Sequence, residues 1–135
     1  MALRACLDTR FYFAHYSREA PSWTRRVVAD SRSGASLLVS STITVTELVS
    51  SMTPGVGLDA VQLRVGSAKD AGIRLIPPSE EIAGQAGEII LKDRDLPMAD
   101  AIIAATAVTH TEGRVYTDDP HFEKIPGIHT LWGRA

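Results

Sequence analysis

The stretch PMADAIIAATA, residues 97–107, starts with a proline and continues almost entirely as alanine and isoleucine, with one carboxylate, Asp100, near its head. Alanine is the strongest helix former and proline suits a helix start, so the stretch predicts a helix. Met98, Ala99, Ala101, Ile102, Ile103, Ala104 and Ala105 leave little of that helix polar, and a helix apolar all round is a buried one. An acid serving only the helix dipole belongs on a wet side. A buried, unpaired carboxylate costs several kcal/mol, roughly, so Asp100 requires a partner.

Outward from this helix, short apolar segments alternate with helical ones. Residues 3–7 (LRACL), 37–40 (LLVS), 73–76 (IRLI), 114–117 (RVYT) and 129–132 (HTLW) predict strands. Residues 58–69 place Leu58, Val61, Val65 and Ala68 on one helical stripe, and residues 79–92 do the same with Ile82, Ala86, Ile89 and Ile90. Pro77-Pro78-Ser79 supplies a stop and an N-cap before the second helix, and TPGVG (53–57) predicts a loop. Alternating strands and helices predict an α/β fold, a three-layer α/β/α sandwich around a mainly parallel sheet of four to five strands.

Composition sets the outer bounds. With 135 residues and 44% apolar content, the chain suits a single domain over 1–135 that buries about two-thirds of its unfolded surface. A net charge of −2 excludes a uniformly basic nucleic-acid binder, so any nucleic acid would need a local patch. Cys6 is the only cysteine, which excludes an internal disulfide and a thiolate cluster and fits a reducing compartment. The apolar run 101–108 falls far short of the ~20 residues of a membrane span, and MALRACL is too short for a signal core. The expectation is a soluble cytoplasmic protein with no membrane partner.

In parallel α/β sheets, chemistry gathers at the carboxyl ends of the strands. Asp8 follows the first strand, Glu47 lies just after the second, Asp100 heads its helix, and Asp118 and Asp119 follow RVYT. Each acid has a plain alternative role. Asp8 could cap the next helix, Glu47 could complete a capping box with Thr44, and Asp119 before Pro120 could be an N-cap. If the four exits converge, the carboxylates share a pocket. Two like charges about 5 Å apart at an effective dielectric near 20 repel by roughly 3 kcal/mol, so such a pocket needs protons or cations. A hard divalent ion, Mg²⁺ or Mn²⁺, is the natural partner of an all-oxygen site.

CLDTRFYF, TVTEL, LPMADAIIAATA and YTDDPHF, in that order, resemble the four motif regions of PIN-domain ribonucleases, most closely the compact VapC-type toxins of toxin–antitoxin pairs. The resemblance runs from residue 3 to about residue 131; its most specific pieces are the DAIIAATA run and the pattern of Thr117, Asp119 and Phe122. It implies that Asp8, Glu47, Asp100 and Asp119 hold one or two Mg²⁺ or Mn²⁺ ions, with Thr117 and Thr9 in support. It implies endonucleolytic hydrolysis of RNA by an activated water, a homodimer, and a small antitoxin encoded separately. The family often has Asn, Arg or Lys at position 118. Asp118 is then an auxiliary ligand, a brake on phosphate approach or an ordinary turn residue, and it keeps open a second reading, a catalytically inactive PIN-fold module that binds RNA or protein.

Other acidic phosphate-handling folds fit less well. A haloacid-dehalogenase-type phosphatase requires an acid two residues beyond Asp8, where Arg10 stands. His15, His110, His121 and His129 have no metal-binding spacing and suit surface or capping roles. Arg10 is the candidate phosphate contact; Arg25-Arg26 could also meet phosphates, although a solvated helix face suits that pair better. Phe11, Tyr12, Phe13, Tyr16 and Trp23 divide between core and an exposed remainder able to stack on bases or build an interface.

Overall fold

In a computed structural model that describes residues 2–133, all five predicted strands form; the outermost residues of the expected 1–135 domain lie outside the described part. The strands β1 (Leu3–Leu7), β2 (Ser36–Ser41), β3 (Arg74–Ile76), β4 (Arg114–Tyr116) and β5 (His129–Leu131) make one parallel sheet in the order β3-β2-β1-β4-β5. The helices are α1 (Thr9–His15), α2 (Ser22–Ser33), α3 (Ile43–Val56), α4 (Leu58–Asp70), α5 (Glu80–Lys92) and α6 (Met98–His110), with a 3₁₀ turn over Pro120–Lys124.

Successive strand side chains point to opposite faces, so the apolar strands build two cores. Cys6, Val39 and Val115 face Ile82 and Ala86 of α5 and Ile103 and Ala104 of α6. Ala5, Leu7, Leu38 and Tyr116 face Phe11, Trp23, Val27 and Val61 on the other side. Phe11 and Phe122 are wholly buried, one in each core, and burying each is worth on the order of 2–3 kcal/mol. The layers are helix, sheet, helix. Gly113 opens β4 with φ +82°, and a Cβ there would meet the Gly127 carbonyl oxygen at 1.9 Å, so only glycine lets β4 and the turn before β5 approach.

Three local expectations are corrected. TPGVG is not a loop: α3 runs through Thr53-Pro54-Gly55 to Val56. The Thr53 carbonyl still accepts from the Gly57 N–H at 2.8 Å, and the bond that Pro54 cannot make would have gone to Ser50, which is exposed and open to solvent. The Thr44–Glu47 capping box does not form either, because α3 starts at Ile43 with Thr42 as its N-cap, leaving Thr44 buried inside the helix. Leu58, expected in the core, is 45% exposed, while Val61 and Ala68 of the same stripe are buried. Ser79 caps α5 as predicted, accepting from the Ile82 N–H at 3.1 Å.

The strand order places the functional end. From β1 at the centre the chain builds outward through β2 and β3, and later through β4 and β5 on the opposite side. The carboxyl ends of β1 and β4 flank the point where the order reverses, which in open parallel sheets is the usual ligand crevice. Asp8 follows β1 and Thr117–Asp119 follow β4.

Candidate functional site

Asp8 occupies the N-cap position of α1, yet its side chain makes no capping bond. It is 3% exposed, and its Oδ2 accepts from the Thr117 hydroxyl at 2.7 Å. The Thr117 oxygen in turn accepts from the Asp119 N–H at 3.0 Å, tying the β1 exit to the β4 exit. On the other flank Thr9, the first residue of α1, donates its hydroxyl to Glu47 Oε1 at 2.6 Å. Thr9 has one hydroxyl proton, shared between Glu47 at 2.6 Å and the buried Thr44 Oγ1 at 3.1 Å, with the shorter contact going to the carboxylate. Thr9 and Thr117 therefore each hold an acid, and Glu47 is oriented by Thr9 instead of capping its own helix.

Asp100 lies in the first turn of α6, with its side chain 13% exposed. Asp119 does cap, accepting from the His121 N–H at 3.0 Å through Oδ1. His121, which the sequence reading assigned to surface or capping roles, places Nδ1 3.1 Å from Asp119 Oδ1 and 3.5 Å from Asp100 Oδ2. One ligand atom from each of Asp100, Asp119 and His121 falls within 4.8 Å of the others. The cue that could have found His121 is its offset of two from Asp119, across the helix-starting Pro120.

The acids sense one another. Burial pushes the Asp8 carboxyl up to about 6; the Thr117 hydroxyl and the Thr9 N–H pull the other way, and the charges of Asp100 and Glu47 push it further up. Asp100 is also raised to about 6, first by burial, then by Asp119 and Glu47, with His121 opposing. Among the described residues no lysine or arginine forms an ion pair with Asp8, Glu47, Asp100 or Asp119. Uncompensated hard oxygen donors of this kind fit a divalent cation. Burial and then the Asp8 charge push the Cys6 thiol far above its ordinary range, so it has no thiolate chemistry to offer.

Arg10 and Asp118 pair with each other through Nε and Nη2 of the guanidinium, and the charges of Asp119 and Asp8 also act on Arg10. Arg25 and Arg26 are exposed on α2. Phe11, Tyr12 and Trp23 belong to the core, Phe13 is 37% exposed, and Tyr16 lies beneath the Arg64 guanidinium, 4.8 Å from its ring centroid.

The PIN domain family model matches residues 5–128, nearly the whole chain. The chain belongs to the PIN-domain family. Nucleases of this family generally use divalent metal ions, and the cluster in this PIN domain is of a kind that can bind one. Among solved structures, VapBC2 from Rickettsia felis, bound to a DNA fragment from its promoter, matches with a TM-score of 0.78 at 15% identity, over 96% of this chain and 98% of that one. VapC20 of Mycobacterium tuberculosis, a sarcin–ricin loop cleaving toxin, matches with a TM-score of 0.72 at 16% identity, over 93% and 98%. DNA-bound VapBC from Salmonella typhimurium matches with a TM-score of 0.70 at 21% identity, over 96% and 98%. At these identities the likeness is one of fold. Among proteins with curated descriptions, none matches this PIN domain. No helix among the described residues is long and apolar enough to cross a membrane.

Proposed function

We propose that this PIN domain is a metal-dependent endoribonuclease of the VapC toxin type, acting in the cytoplasm, with Asp8, Glu47, Asp100 and Asp119 holding one or two Mg²⁺ or Mn²⁺ ions. What supports the reading is that ligand atoms of Asp100, Asp119 and His121 lie within 4.8 Å of one another, that the charges of Asp119 and Glu47 raise Asp100 and those of Asp100 and Glu47 raise Asp8, and that no lysine or arginine among the described residues forms an ion pair with these acids. When bound, the ion supplies Lewis-acid polarisation of a phosphodiester and a hydroxide equivalent near neutral pH. The chain's own residues do the rest. Thr117 and Thr9 fix the orientation of Asp8 and Glu47 before substrate arrives. A carboxylate of the cluster accepts the proton of the attacking water. Arg10, on the first turn of α1 next to Asp8, meets the RNA backbone once it exchanges Asp118 for a phosphate.

A separately encoded antitoxin and a homodimer belong to the same proposal. They are supported by structural neighbours that are VapBC complexes and by Phe13, Val56, Leu58 and Leu63, which remain exposed on α1, α3 and α4. The test is cleavage of a mixed-sequence single-stranded RNA by the antitoxin-free protein with Mn²⁺, beside Asp100→Asn and a chelator control. Cleavage by wild type, abolished in both controls while the variant stays folded, is the expected result. Equal cleavage by Asp100→Asn would show that the activity lies elsewhere. Silence of wild type on several RNAs would favour the non-catalytic binding module.

A further inference from the structure

A purely acidic metal site has no use for an imidazole, yet His121 is held against this one. Its main chain is fixed by consecutive bonds: Thr117 donates to Asp8, Asp119 donates to Thr117, and His121 N–H donates to the Asp119 side chain. Pro120 restricts φ between Asp119 and His121, and the next residue, Phe122, is wholly buried and anchors the turn. The ring itself remains 48% exposed, so packing does not set its direction; its contacts with the two carboxylates do. It points Nδ1 at both Asp119 and Asp100.

Two roles are compatible with that direction. In the first, the ring is a salt partner of the carboxylates and is displaced when a metal ion arrives. In the second, it stays and coordinates. The spacing suits a salt partner and also admits the second role: in an octahedral ion with bonds of about 2.1 Å, adjacent ligand atoms are about 3 Å apart. The Nδ1 separations of 3.1 and 3.5 Å from the two carboxylate oxygens are close to that edge length. A third ligand on a fixed turn also needs no rearrangement of the main chain to close on the ion.

Resting on the metal-nuclease reading above, we infer that His121 is a nitrogen ligand of the ion held by Asp100 and Asp119, and that it biases the site toward Mn²⁺ over Mg²⁺. Imidazole suits transition-metal ions, whereas Mg²⁺ prefers carboxylate, carbonyl and water oxygens and gains little from a ring nitrogen. The four acids alone give no such bias. The site is then a mixed nitrogen–oxygen centre, with Asp8 and Glu47 supplying further oxygen donors at its buried side.

The experiment is Mn²⁺ titration of the full chain, followed by electron paramagnetic resonance, with no RNA present. Wild type is expected to take up Mn²⁺ and to show nitrogen hyperfine coupling from a directly bound imidazole in the spin-echo modulation. In His121→Asn the coupling should vanish, and the Mn²⁺-over-Mg²⁺ preference measured by competition should fall about tenfold. Mn²⁺ bound to wild type without nitrogen coupling, or an unchanged metal preference in His121→Asn, would overturn the inference and leave the acidic metal site standing. If wild type binds no more Mn²⁺ than Asp100→Asn does, the metal-site reading falls, and the inference with it.

Discussion

The two sides of the cluster are built differently. On one side, the buried Asp8 and the partly buried Glu47 are each held by a threonine hydroxyl, from Thr117 and Thr9. On the open side, Asp100 and Asp119 face an imidazole and solvent, with side chains 13% and 20% exposed. The first side is a frame in which one oxygen of each acid is held by a hydroxyl before anything binds, leaving its second oxygen free of that bond. The other side keeps its carboxylates partly in contact with solvent, the side from which an ion and a substrate would enter on the proposed reading. A site divided in this way separates the cost of holding like charges together from the task of contacting a ligand.

The largest expected effect comes from removing one charge on each side. Asp100→Asn and Asp8→Asn should each lower RNA cleavage in Mn²⁺ at least a hundredfold while circular dichroism stays native. Full activity in Asp8→Asn would make the buried side mere scaffold and break the comparison. Thr117→Val is the next step down, because it leaves every carboxylate in place and removes only the hydroxyl that orients Asp8. Loss of an orienting partner of this kind costs about 10–100-fold in metal affinity or activity, and about tenfold is expected here, read as the Mn²⁺ dependence of cleavage. It should also lower thermal stability, since a buried acceptor left unsatisfied costs about 1–3 kcal/mol.

A smaller effect distinguishes the frame from its charge. The carboxyls of Asp8 and Asp100 are both raised from an ordinary value near 4 to about 6. The folded protein therefore holds protons that the unfolded chain has already released across that window, and stability falls as pH rises from about 4 through about 6. This is the reverse of the usual salt-bridged carboxylate. In chelator, the melting temperature should decline by several degrees over that range. Asp8→Asn should flatten the decline, and Mn²⁺ at pH 7 should restore the lost stability. A chelated protein whose melting temperature climbs steadily from pH 4 to 7 would show that the carboxylates are better compensated than their surroundings indicate.

The frame of the fold was legible because its signals are local. Five apolar runs of strand length, the stripe at 79–92, and residues 101–107 of the helix headed by Asp100 state their environment in their own residues, whereas Leu58 and Met98 at helix starts are exposed. What escaped was decided by contacts distant in sequence or by geometry formed only on folding. Pro54 and Gly55 have the local preferences of a break, but α3 continues through them because only the exposed Ser50 carbonyl loses its bond. His121 carries no ligand spacing in the chain; its contact with Asp100 appears only when the 3₁₀ turn folds beside the head of α6. Asp118 was ambiguous because its partner, Arg10, is 108 positions away.

That pair provides the mildest prediction and the one that sharpens the open side most. Arg10 and Asp118 are both partly exposed, at 51% and 36% of their side-chain surface, so their attraction is screened and the pair adds little to stability. On the proposed ribonuclease reading, its effect falls on binding. The Asp118 carboxylate occupies the guanidinium fork that a phosphate would use and adds negative charge at the entrance to the acidic cluster. Asp118→Asn should leave the melting temperature within about a degree and tighten single-stranded RNA binding several-fold, measured by fluorescence anisotropy in chelator so that cleavage does not intervene. Arg10→Gln should weaken the same binding and remove the gain in the double variant, because the gain depends on a freed guanidinium. If Asp118→Asn tightens binding equally with Arg10 present or absent, Asp118 acts by bulk repulsion alone and Arg10 is not the backbone contact.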